Sequence, residues 1–60
     1  MRKITEHTYG SSIYMRLELD GQEYEVTRYA GTDGNWNHYT TTADGTDKRE
    51  AVIKAFNELY

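Results

Sequence analysis

Apolar and polar side chains alternate strictly along residues 12–19 of the chain. Successive side chains of a β-strand point to opposite faces of a sheet, so alternation with a period of two is typical of a half-buried strand. The pattern therefore predicts a strand whose apolar face carries Ile13, Met15, Leu17 and Leu19.

A second run, residues 22–30, follows directly after Asp20-Gly21. Asp-Gly favours a two-residue type I′ hairpin turn, because both positions need a positive φ. This turn predicts a hairpin over residues 11–30 in which Leu19 lies opposite Gln22, Leu17 opposite Tyr24, Met15 opposite Val26 and Ile13 opposite Arg28. A longer loop around Asp20 is the main alternative, since it would shift this register.

Two charged residues, Arg28 and Glu18, do not fit the apolar and charge pattern of the predicted hairpin. Arg28 falls on the apolar face, and we expect it at the rim of the sheet with its stem buried and its guanidinium in water. Glu18 lies opposite Glu23, close to the turn, where solvent weakens their repulsion.

Residues 35–42 are rich in Trp, Tyr and Thr and follow a turn at Gly31-Thr32-Asp33-Gly34, so they predict a third strand. Placing Ala30 opposite Asn35 would put Tyr29 opposite Trp36, Thr27 opposite His38 and Val26 opposite Tyr39. Tyr39 then joins the apolar face, and Trp36 and His38 join the other face.

Residues 47–59 predict a helix. Asp47 or Thr46 is the expected N-cap, and Asp47 with Glu50 has the spacing of a capping box. The apolar stripe, spaced at i, i+3, i+4 and i+7, consists of Val52, Ala55, Phe56 and Leu59, with Ile53 and Tyr60 beside it.

These elements predict one α+β domain spanning 1–60, in which a three-stranded antiparallel sheet packs on one C-terminal helix in the order β-β-β-α. Residues 1–10 are open to two interpretations, a short fourth strand or a flexible tail. The helix is expected to cover Met15, Leu17, Tyr24, Val26 and Tyr39.

The composition is that of a small acidic protein. In 60 residues, 37% of them hydrophobic and none of them cysteine, the core is thin and no disulfide can strengthen it, so self-association is an option. The lack of cysteine also fits a reducing compartment. With no apolar run of the kind found in a signal peptide or membrane span, we expect a cytoplasmic protein without membrane contact.

The chain contains eight aromatic residues, six of them tyrosine. A single helix covers only one face of a sheet, so the opposite face should stay open. Aromatic side chains beside an arginine are typical of interaction hot spots. We therefore predict that this face binds another protein through Tyr14, Arg16, Thr27, Tyr29, Trp36 and His38. The alternative interpretations are that residues 1–10 cover these side chains or that a second copy does, as a homo-oligomer.

Charge bears on the choice of partner. Compact acidic proteins of this size are common among phage- and plasmid-encoded modulators of host proteins, which makes an inhibitor one form of the hypothesis.

The β-β-β-α outline is similar to the arm-type DNA-binding domains of tyrosine recombinases, a resemblance that implies DNA binding by the sheet face. A net charge of −3 disfavours nucleic acid, although stacking of bases on Tyr29 and Trp36 is an alternative use of the same face.

Catalysis is not expected. His7 and His38 are the only histidines, Ser11 and Ser12 lie outside any nucleophile-elbow pattern, and so small a domain has little room for a cleft. The two histidines lack a metal-ligand spacing, and the glycines form no phosphate loop. We predict no catalytic residues, no metal site and no cofactor.

Overall fold

The computed structural model describes all residues, 1–60, and has an α+β architecture. Four antiparallel strands form one sheet in chain order, and one helix follows them. The elements are β1 (Arg2–Tyr9), β2 (Ser12–Leu19), β3 (Gln22–Tyr29), β4 (His38–Thr41) and α1 (Thr46–Leu59). The predicted class is confirmed, and the segment 1–10 contains a fourth strand, Arg2–Tyr9, rather than a flexible tail.

Two tight turns fix the register of the first three strands. Asp20 and Gly21 have φ of 53° and 81°, the positive values of a type I′ turn. Gly10 has φ of 59° while Ser11 stays in the ordinary region, which matches a type II′ turn between β1 and β2. The predicted pairing of β2 with β3 is confirmed at every position, from Leu19 opposite Gln22 to Ile13 opposite Arg28.

The predicted third strand over residues 35–42 is wrong in length and in register. Strand β4 covers only His38–Thr41, and His38 lies opposite Tyr29 rather than opposite Thr27. The slip is two residues, so each β4 side chain keeps its predicted face. Asp33 accepts a hydrogen bond from the Asn35 amide, and Asn35 accepts one from the Asn37 amide. These turns compete with strand pairing and delay the strand until His38.

The helix begins one residue earlier than predicted. Its N-cap is Gly45, with φ of 85°, and no side chain caps the first turn. The prediction of Asp47 or Thr46 as N-cap, with an Asp47–Glu50 capping box, is therefore wrong. Because the chain enters the helix through a glycine, Asp47 lies inside the first turn, where its charge favours the helix dipole.

The core lies between α1 and one face of the sheet. The sheet contributes the predicted face, and the helix contributes its predicted stripe, so the buried residues are Ile13, Met15, Leu17, Tyr24, Val26, Val52, Ala55 and Phe56. Arg28 is half-buried, and its guanidinium carbon lies 4.9 Å from the centre of the Tyr60 ring and 5.8 Å from that of Phe56, two cation–π contacts that the sequence did not predict.

The two edges of the sheet differ. At the β4 edge, the Arg49 guanidinium donates a 2.9 Å hydrogen bond to the Tyr39 carbonyl. At the other edge, β1 carries a bulge between Lys3 and Thr5, and only Ile4 of its eight residues is partly buried. Helix α1 packs against β2, β3 and β4. The structure contains no helix with the length and apolar character needed to cross a membrane.

Candidate functional site

The face of the sheet opposite α1, here called the open face, has no helix or strand packed on it. Strand alternation and the observed pairing decide which side chains it presents. They are Arg2, Thr5, His7 and Tyr9 from β1, Ser12, Tyr14, Arg16 and Glu18 from β2, Glu23, Glu25, Thr27 and Tyr29 from β3, and His38 and Thr40 from β4.

Charged and aromatic side chains separate to the two ends of the open face. The end near the β2–β3 turn, the charged end, carries Arg2, Arg16, Glu18, Glu23 and Glu25. The end near the β1–β2 turn, the aromatic end, carries His7, Tyr9, Tyr14, Tyr29 and His38. A partner that covers the aromatic end would bury apolar ring surface, because the charged strand residues of this face lie at its other end.

At the charged end, both arginines are already engaged. Arg16 lies 3.0 Å from Glu25, and Arg2 lies 3.3 Å from Glu18, so Glu18 has a cation to offset Glu23 opposite it. Such exposed pairs contribute less than about 1 kcal/mol each. Three glutamates against two arginines leave this end acidic, which disfavours contact with phosphates.

Tyr14 is central to the aromatic end and remains 43% exposed. Its neighbour across β1 is His7, and its neighbour across β3 is Thr27. These side chains line a depression together with Thr5, Arg16 and Glu25. The site is therefore a depression along the sheet that is lined by the Tyr14 ring and by hydroxyl, imidazole and ion-pair groups.

Tyr29 and His38 form the other part of the aromatic end. Their rings stack with centroids 5.7 Å apart and planes inclined by 30°. His38 Nε2 lies 3.1 Å from Oδ1 of Asp33, which connects this stack to the loop between β3 and β4. The amide hydrogen bond from Asn35, and secondly the contact with His38, lower the pKa of Asp33 below its usual 3.8.

The loop that connects β3 to β4, residues 30–37, is held by its own hydrogen bonds. Gly31 donates to the Asn35 carbonyl at 2.9 Å, and Gly34 donates to the Gly31 carbonyl at 3.0 Å. A side chain at Gly31 would overlap the His38 imidazole, so glycine allows the ring to lie against the backbone. Trp36 is in this loop and is 55% exposed.

Five of the six residues predicted for the site lie on the open face: Tyr14, Arg16, Thr27, Tyr29 and His38. Trp36 does not lie in a strand, and Tyr29 stacks on His38 instead of pairing with Trp36. The prediction that Trp36 belongs to the sheet face is thus wrong, because the Asx turns at Asp33 and Asn35 hold it in the loop.

Sequence reasoning missed the contribution of β1, namely Thr5, His7 and Tyr9. Both faces of β1 are exposed, so its sequence has no alternation to reveal a strand. The usable signal was Gly10-Ser11, a favoured hairpin pair directly before the alternating segment. Because β1 lies beside β2 in the same sheet, it widens the open face and does not cover it.

Comparisons with protein-family models, with curated proteins and with solved structures each find no match. No three His, Asp or Glu side chains gather in a cluster able to hold a metal ion.

Proposed function

We propose that the protein is a non-enzymatic protein-binding module that uses the aromatic end of its open face. The observation that carries the proposal is the concentration of five rings, His7, Tyr9, Tyr14, Tyr29 and His38, at one end of a sheet face on which no other element packs. Tyrosine offers a large rigid contact area with a polar tip, at little cost in side-chain entropy.

The chemistry of this end suits a protein surface with apolar and hydrogen-bonding groups. Tyr14 supplies an exposed ring, Thr27 supplies a hydroxyl beside it, and the pair of Tyr29 and His38 is held in place by Asp33. Trp36 extends the contact from the adjacent loop. Small size and acidic composition are the basis for extending the proposal to a modulator or inhibitor of the phage or plasmid type.

The proposal is tested by affinity capture from nuclease-treated lysate. The test variant is Tyr14→Thr combined with Trp36→Ala, because both side chains are exposed and threonine suits a strand. The matched control is Tyr60→Ala, since Tyr60 is as exposed as Trp36, at 55%, but packs on the helix side of the sheet. Circular dichroism of each variant establishes that it is folded.

A stoichiometric protein retained by wild type and by Tyr60→Ala, but lost with the double variant, supports the proposal. Equal retention by wild type and both variants, or retention of no protein, contradicts it. Direct titration with single- and double-stranded DNA and RNA covers the alternative use of the open face. Binding that weakens steeply with salt and requires Arg16 would favour nucleic acid over a protein partner.

A further inference from the structure

One edge of β1 pairs with no other strand, and the proposed function of the open face does not involve this edge. Seven of the eight residues of β1 are exposed, and α1 packs on the other three strands. The opposite edge is four residues long and receives a hydrogen bond from Arg49 on the Tyr39 carbonyl. The bulge and Lys3 interrupt the first half of this edge, whereas residues 5–9 form a regular segment without a bulge or proline. Free N–H and C=O groups along such a segment are a template for pairing with a further strand.

The β1–β2 turn decides which backbone groups of β1 are free. The pair that flanks a two-residue hairpin turn is hydrogen-bonded, and hydrogen-bonded and non-bonded pairs then alternate along the ladder. Tyr9 lies opposite Ser12, so the backbone groups of Tyr9, His7 and Thr5 point at β2. Those of Glu6 and Thr8 therefore point away from the sheet.

We propose that two copies of the chain associate by antiparallel pairing of residues 5–9 of β1, with His7 opposite His7 of the second copy. Glu6 of each copy then pairs with Thr8 of the other through their outward backbone groups. The two sheets join into one continuous antiparallel sheet of eight strands. This pairing uses the edge of the sheet and does not depend on the proposed function of the open face.

Three features select this register. The bulge between Lys3 and Thr5 ends the regular part of β1, so pairing cannot extend past Thr5. A register centred on Glu6 would place two glutamates directly opposite each other, which is destabilising. A register centred on Thr8 would run into the turn at Gly10. The register centred on His7 uses the whole regular segment and places Thr5 opposite Tyr9, a favourable pair of β-branched and aromatic residues.

The rest of the fold can accommodate this dimer. A two-fold axis perpendicular to the sheet keeps both open faces on one side, so that the aromatic ends of the two copies meet around His7 and Tyr9. The two helices lie on the other side, and two β1 strands separate them. A five-residue edge is a small interface, so the association is expected to be weak and dependent on concentration.

Sedimentation equilibrium over increasing protein concentration tests the inference. The test variant is Thr8→Pro, which removes an outward N–H and leaves the ladder to β2 intact, a placement that edge strands tolerate. The matched control is Thr8→Val, which keeps the N–H. Wild type and Thr8→Val should approach twice the monomer mass of 7.0 kDa, while Thr8→Pro should stay at 7.0 kDa.

A second pair of variants tests the β1–β1 association if Thr8→Pro fails to fold. His7→Lys places like charges opposite each other at the axis and should shift the mass towards monomer, whereas His7→Thr should not. Wild type that stays monomeric at every concentration, or Thr8→Pro or His7→Lys that associates as strongly as wild type, would overturn the inference. Capture of another protein in the preceding experiment depends on Tyr14 and Trp36, so the two proposals fail separately.

Discussion

Replacing Phe56 with leucine tests the packing of α1 on the sheet. The Phe56 ring is fully buried, with its centroid 5.9 Å from Tyr39 in an edge-on contact and 5.8 Å from Tyr60 in a stacked one. The guanidinium of Arg28 lies 5.8 Å from the same centroid. Leucine preserves an apolar side chain in the core but removes all three ring contacts.

The expected loss follows from these contacts. Two aromatic pairs at about 0.5–1.5 kcal/mol each, with about 0.5 kcal/mol for the cation–π contact, give a loss of about 2.5 kcal/mol in the free energy of unfolding. A domain of this length has about 3–9 kcal/mol in total. The same loss lowers the Tm by about 10–20 °C.

Urea unfolding followed by far-UV circular dichroism measures this loss. Trp36→Leu is the matched control, because it makes the same kind of change at an exposed loop position and should alter the free energy of unfolding by less than about 0.5 kcal/mol. Equal losses in the two variants, or a loss below about 0.5 kcal/mol for Phe56→Leu, would refute the packing of the Phe56 ring against Tyr39 and Tyr60.

Three further predictions concern the loop and the turns. Gly31→Ala should displace the His38 imidazole from Asp33, visible as changed NMR shifts of the ring, and an unchanged ring would contradict the close contact. The hydrogen bonds that Asp33 accepts lower its pKa, so they stabilise the loop fully at a pH above 3.8, the usual pKa of the group. This stabilisation is lost as the pH falls through the lowered pKa of Asp33. The Asn35 amide resonance should report that loss, and Asp33→Asn should remove the titration. Asp20→Val should cost about 1–2 kcal/mol, because a β-branched residue resists a positive φ, whereas Asp20→Gly should not; equal costs in chemical denaturation would count against the type I′ turn.

Local patterns determined much of the fold. The alternation of Ile13, Met15 and Leu17 reflects a strand with one buried and one solvated face, and the Asp20-Gly21 turn then leaves only one register that keeps the apolar set together. The spacing of Val52 and Phe56 determined the buried stripe of the helix in the same way.

Patterns failed where competing local hydrogen bonds or exposure removed the signal. The run that contains Trp36 has the composition of a strand. However, the side-chain oxygens of Asp33 and Asn35 accept hydrogen bonds from the backbone N–H groups of Asn35 and Asn37, and these bonds compete with strand pairing. At the start of the helix, Gly45 with its positive φ occupies the N-cap position, so the side-chain cap expected from Asp47 does not form.

The sequence by itself determined which side chains of β2 and β3 share the open face, and hence that Tyr14, Thr27 and Tyr29 lie together. The tertiary structure decided the rest of the site. It placed β1 beside β2, which added His7 to the aromatic end, and it closed one sheet edge with Arg49 while leaving the other free. Alternation is a property of a single strand, so the chain encodes it locally. Which strand pairs with an exposed edge strand such as β1 is set by contacts between separate segments, and these leave no pattern of burial in the sequence.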